Sequence, residues 1–161
     1  MLVHSKAINK LAPADYLLIE KEHKLLEKYL SDLRDACTYS NSDKLPDCQN
    51  CDPEKQASCQ GRLPSFLFFI IELAAKHFDH EETIMLSRAH VTKECEFFRI
   101  HQQAHADILH KMDTLVGECF SLGKQSYNAK IYSQLYKKLS DMLEEHDRDF
   151  DDPFINFTKA D

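Results

Sequence analysis

Apolar residues recur at alternating steps of three and four along four stretches of this chain, the spacing that places side chains on one face of an α-helix. In the first stretch Tyr16, Ile19, His23, Leu26, Leu30, Leu33 and Cys37 form one line, and Pro13 with Asp15 suits a helix start. The second runs through Phe66, Ile70, Ala74, His77, Glu81 and Ile84 behind Pro64 and Ser65. Starting near Val91 or Thr92, the third carries Phe98, His101, His105, Ile108, Met112, Leu115 and Cys119, with Gly123 placed to end it. The fourth, from about Ser126, gives Tyr132, Leu135, Leu139, Met142 and His146 and stops near Pro153. The pattern predicts helices over about 14–38, 64–87, 91–122 and 126–151. Elements of such matched length imply an all-α fold, an antiparallel up-down-up-down four-helix bundle in a single domain. Residues 38–63 read as a long cysteine-rich loop between the first and second helices.

Composition sharpens this picture. Three glycines and five prolines in 161 residues are too few for the turns of a β-sandwich or barrel. Twenty basic residues against 27 acidic, with no basic stripe, argue against a nucleic-acid partner. The longest apolar run, Phe66 to Ala75, is broken by Glu72 and is far short of the roughly 20 residues needed to cross a bilayer. No membrane partner is expected. Met1 to Tyr16 lacks the basic cluster and apolar stretch of a secretory signal, so a cytoplasmic location is expected. In that reducing compartment the six cysteines would be thiols or metal ligands.

The lines meant for the core contain the wrong residues. His23, His77, His101, His105 and His146 interrupt them on all four helices, and Glu81 follows one turn after His77. A single such histidine is ordinarily a core residue satisfied by one hydrogen bond. Five together with an ionised carboxylate would cost many kcal/mol if unpaired in an apolar interior. Positive charge among them removes that cost, because neutral imidazoles and carboxylates become ligands of a metal. His77 and Glu81 stand four apart, as do His101 and His105, so each pair projects from one helix face. Five nitrogens and a carboxylate exceed the needs of one tetrahedral zinc. A bridging carboxylate shared by two metals fits them.

With these residues in view, the sequence resembles the hemerythrin family in its bacterial form, the non-haem di-iron oxygen-binding bundle. His77 to Met85 follows the family's H-F-x-x-E-E-x-x-M segment. The family's order of a lone His, then HxxxE, HxxxH and HxxxxD is matched by His23, His77 with Glu81, His101 with His105, and His146 with Asp151. The resemblance spans about Asp15 to Phe154. It implies two iron ions: one held by His101, His105 and His146, the other by His23 and His77. Glu81, Asp151 and a solvent-derived oxo or hydroxo group would bridge them. It also implies dioxygen bound at the second iron as hydroperoxide, in a dry pocket.

Two departures from the family pattern stand out. A step of five residues turns about 140° away from the starting face of a regular α-helix, so His146 and Asp151 meet only where the helix widens or ends. Asp149 competes on regular geometry. The family's Trp-Leu is here Met142-Leu143, in which Leu143 matches the leucine of the oxygen pocket. His80 reads as a solvent-facing neighbour, and His4, His90 and His110 hold no position on the apolar lines. Glu22 and Glu82 read as surface groups, Glu82 also as a support for a ligand.

Cys37, Cys48, Cys51 and Cys59 gather around the long loop, with a C-x-x-C at its centre. The spacing suits one structural zinc; redox-active thiols and unpaired cysteines remain the alternatives. Cys95 and Cys119 fall on the third helix, Cys119 among the packing positions.

Three functions compete. The first is a dioxygen-binding module that holds oxygen or autoxidises, for sensing, storage or delivery, with a fused or partner signalling domain. The second is a catalytic or iron-handling di-iron protein, with ferroxidase, peroxide or nitric oxide chemistry. Ferritin-like sites of that kind use two Glu-x-x-His motifs, and only Glu20 with His23 lies on an apolar line here. The third is a metal-free interaction bundle. A zinc site at the four cysteines would register as one zinc per chain by proton-induced X-ray emission on the pure protein, and its absence there would exclude that site.

Overall fold

The computed structural model describes residues 12–34, 53–88, 91–121 and 129–151, with side chains over 12–34, 65–88, 91–118 and 134–151. Four helices account for nearly all of them: α1 (Pro13–Arg34), α2 (Pro53–Leu86), α3 (Glu96–Ser121) and α4 (Ala129–His146). A five-residue π-helical turn, Asp147–Asp151, continues α4. The fold is an all-α four-helix bundle.

Local chemistry explains most of the boundaries. Pro13 needs no N–H partner in the first turn of α1, Asp15 faces its positive end and Arg34 its negative end. Two starts differ from the sequence pattern. α2 begins at Pro53, eleven residues before the predicted Pro64, so the connection predicted over 38–63 is helical from residue 53 onward. The sequence pattern puts Pro64 in the first turn of this helix. It lies instead inside the helix, where a proline costs about 3 kcal/mol that the remaining turns must offset. α3 begins at Glu96 and not near Val91, because residues 92–95 form a tight turn closed by the Cys95 amide donating to the Thr92 carbonyl at 3.1 Å. Cys37, Cys48, Cys51 and Gly123 lie outside the described residues.

The helices form a ring in which α1 touches α2 and α4, and α3 touches the same two. Neighbours run antiparallel. Arg88, just past the end of α2, pairs with Asp15 at the start of α1 at 2.8 Å. Farther along, Leu33 near the end of α1 shares a core with Leu67 of α2, Met112 of α3 and Leu135 of α4.

Among the described residues two separate apolar cores result. The larger holds Leu26, Leu30, Leu33, Leu67, Ile70, Ala74, Phe78, Ile108, Met112, Leu135, Leu139 and Leu143. The smaller, at the other end, holds Ile19, Ile84, Met85, Val91 and Phe98. Between them His77, Glu81, His101, His105, His146 and Asp151 are all buried. Met142, placed on the fourth apolar line by sequence, is half-buried, and Leu143 takes the core position because it lies one turn, four residues, beyond Leu139. Among the described residues no helix is long and apolar enough to cross a membrane.

Replacing a side chain of the larger core should leave a void that the bundle fills incompletely. Leu33→Ala, at a site 0% exposed, is expected to destabilise the protein by about 3 kcal/mol in denaturant unfolding. Leu17→Ala, at a site 65% exposed, is expected to change stability by less than about 0.5 kcal/mol.

Candidate metal centre

Seven side chains from four helices and the π turn converge between the two cores. The Nε2 atoms of all five histidines point inward. One group joins Glu81, His101, His105, His146 and Asp151; a second joins His23, His77, Glu81 and Asp151. In each group the ligand atoms lie within 4.8 Å of one another, so each is able to hold a metal ion. Glu81 and Asp151 belong to both, and each divides its oxygens between them. Glu81 Oε1 lies 3.2 Å from His77 Nε2, while its Oε2 lies 3.0 Å from His105 Nε2 and 3.5 Å from His101 Nε2. Asp151 Oδ2 lies 3.2 Å from His23 Nε2, while its Oδ1 lies 2.9 Å from His146 Nε2 and 3.2 Å from His101 Nε2. Such sharing is compatible with a di-metal site.

The π turn resolves the five-residue step between His146 and Asp151. Its extra residue per turn brings positions i and i+5 onto one face, and Asp151 ends fully buried opposite His146. Asp149 points outward instead and pairs with Arg148 at 2.9 Å.

Two carboxylates fix the outer edges of the imidazoles. His77 Nδ1–H donates to Glu22 Oε2 at 2.8 Å, and His105 Nδ1–H donates to Glu82 Oε1 at 2.8 Å. With Nδ1 engaged outward, each ring presents Nε2 to the interior as the atom open to a metal. Glu22 also accepts from His80 Nδ1. Glu22 and His80, read as surface residues, are therefore drawn into the site's surroundings; the reason is a side-chain bond between helices that a one-helix pattern does not contain. His110 is exposed as expected, and His4 and His90 lie outside the described residues. Phe78 stacks on His105 at 4.2 Å, and Phe150 on His146 at 5.2 Å.

The donor set fits metal ions. Two donors at right angles on one ion, each about 2.1 Å from it, lie about 3.0 Å apart. The Nε2 atoms of His23 and His77 are 3.0 Å apart, and those of His105 and His146 are 3.1 Å apart. Glu81 Oε1 and His146 Nδ1 are buried without a hydrogen-bond partner. A cation would satisfy the first directly.

No family model, curated protein or solved structure matches this chain.

A cavity of about 80 Å³ opens beside the second group, reaching His23 and His77. Leu26, Leu30, Phe78 and Leu143 make its apolar side, and Ser140, Glu27, Glu144 and Asp147 its polar side. Leu143, expected at an oxygen pocket, lines this cavity together with polar side chains. Asp147, one of several acidic residues near the end of α4 in sequence, is set apart by lining this cavity. Cys59 lies on α2 and not in a loop, Cys95 is a free, half-buried thiol just before α3, and no side chain is described for Cys59 or Cys119.

Protons and metal compete for these groups. Burial lowers His77, but the adjacent carboxylates of Asp151, Glu22 and Glu81 outweigh it and raise the imidazole to about 12. Burial likewise lowers His146, and Asp151 and Glu81 raise it to about 9. The same carboxylates also raise His101. Burial raises Glu81 and Asp151, yet the surrounding imidazoles hold both well below the usual carboxylate range. For raised histidines the stabilising contribution is complete below the unfolded value of about 6.5 and is lost as pH climbs through the folded value. Chelator-treated protein should therefore lose thermal stability from pH 6.5 to 9 as His146 deprotonates. Metal needs neutral imidazoles, so the gain in unfolding temperature on metal loading should be larger at pH 9 than at pH 6.5. Thermal denaturation of both forms at the two pH values checks this.

Proposed function

We propose that this chain is a hemerythrin-like, non-haem di-iron module that binds dioxygen reversibly or autoxidises, for oxygen or redox sensing, storage or delivery. The observation that carries the reading is the sharing of Glu81 and Asp151, one oxygen to each of two histidine groups. His101, His105 and His146 would hold one iron and His23 with His77 the other, with an oxo or hydroxo group between them. A ligand set of five imidazoles and two carboxylates suits iron among the first-row metals, and the sequence resemblance favours it.

A pair of ferrous ions, when bound, supplies the two electrons that dioxygen takes up. The protein's part is positioning and exclusion. Glu22 and Glu82 hold His77 and His105 in the tautomer with Nε2 free, and the uneven ligand count leaves the His23–His77 side the more open. Leu26, Leu30, Phe78 and Leu143 keep water away on that side of the cavity. The polar side, with Ser140 and Asp147, favours a second reading in which the site turns over peroxide or nitric oxide or oxidises iron. A cytoplasmic module joined to a signalling partner is the setting this reading implies. Zinc at Cys37, Cys48, Cys51 and Cys59 is a separate proposal.

Anaerobically purified protein should take up two ferrous ions per chain. Stopped-flow mixing of that form with oxygen should change its near-ultraviolet and visible absorption within the mixing experiment. Fewer than two ions, or a spectrum indifferent to oxygen, would overturn the reading; sustained consumption of peroxide or nitric oxide would favour the catalytic alternative.

A further inference from the structure

The π turn carries three aspartates at alternate positions, and they face three ways. Asp151 is fully buried between the two ligand groups. Asp149 is exposed and tied to Arg148. Asp147 does neither: its side chain is 40% exposed, and its Oδ1 lies 3.6 Å from His23 Nε2. It also lines the cavity together with Ser140 and Glu144.

That distance is informative. Donors on a six-coordinate ion with bonds of about 2.1 Å lie about 3.0 Å apart when adjacent and about 4.2 Å apart when opposite. At 3.6 Å from a ligand nitrogen Asp147 matches neither spacing and stands outside both ligand groups, so it would reach the ion by a turn of its side chain. Among the described residues the ligand inventory is also uneven, with five in one group and four in the other, and Asp147 stands on the side of the four. Asp151 cannot leave its place without carrying a charge through the interior. Asp147, already partly in solvent, can turn outward at small cost.

Resting on the di-iron reading above, we infer that Asp147 is a displaceable carboxylate ligand of the ion held by His23 and His77, covering its cavity-facing position and selecting against anionic ligands. A neutral diatomic molecule displaces it by entering from the apolar side, where Leu26, Phe78 and Leu143 meet it. An anion entering the same space must face the carboxylate's charge, both while it remains bound and after it has turned aside.

The test uses the full chain. Asp147→Asn keeps the shape and removes the charge; Asp147→Ser is a second variant with the same expectation, and Asp149→Asn is the control. Anaerobic calorimetric titration of metal-free protein with ferrous ion, and optical titration of the diferric protein with sodium azide, give the two readouts. In Asp147→Asn the weaker ferrous site should lose affinity at least tenfold and azide should bind at least tenfold more tightly, with Asp149→Asn matching the parent protein in both. A change smaller than tenfold in either affinity overturns the inference alone, provided that the parent protein binds two ions. A parent protein that binds fewer than two overturns the di-iron reading and this inference with it.

Discussion

Charge in the middle of an apolar bundle is the constraint around which this molecule is arranged. Two carboxylates with no solvent access, Glu81 and Asp151, sit among five imidazoles at the level where the helices pack. An isolated carboxylate there would be prohibitively costly, and the imidazoles answer it with hydrogen bonds from every side. The result is a site that demands positive charge whether from protons or from metal. In neither case can one helix supply it alone, so the polar layer enforces the mutual register of all four.

The same layer dictates what surrounds it. Aromatic rings lie flat against two of the imidazoles, Phe78 on His105 and Phe150 on His146, where they exclude water without competing for hydrogen bonds. Outside His77 and His105 the structure places carboxylates, Glu22 and Glu82, one for each ligand group. Orientation of the rings is thereby secured from helices other than their own, Glu22 on α1 reaching His77 on α2, and Glu82 on α2 reaching His105 on α3.

Much of this was legible in the sequence because helical periodicity is a local property. The lines through Ile19, Leu26, Leu30 and Leu33, or Phe98, His101, His105 and Ile108, are all buried or face the centre. The position of Asp151 was legible only conditionally, since a regular helix turns it away from His146, and the π turn removes that obstacle. What stayed hidden was relational. Glu22 looks like an ordinary polar neighbour of His23 until α2 brings His77 beside it. Asp147 looks like one of several acidic residues at a helix end, and only the cavity distinguishes it from Asp149. Pro64 misled for a different reason: proline's preference for the first turn is a tendency, and α2 runs through it.

The division of the interior into unequal halves bears on how ions would come and go. The five-residue core at the far end is walled off from the rest by a stratum whose cohesion depends on what it binds, with the Arg88–Asp15 bridge as an outer clasp. Local opening free energies follow buried apolar contact, and among the described residues the far end has less of it. Exchange of a bound ion would then proceed by transient fraying of a single lobe while the larger core on the other side stays intact.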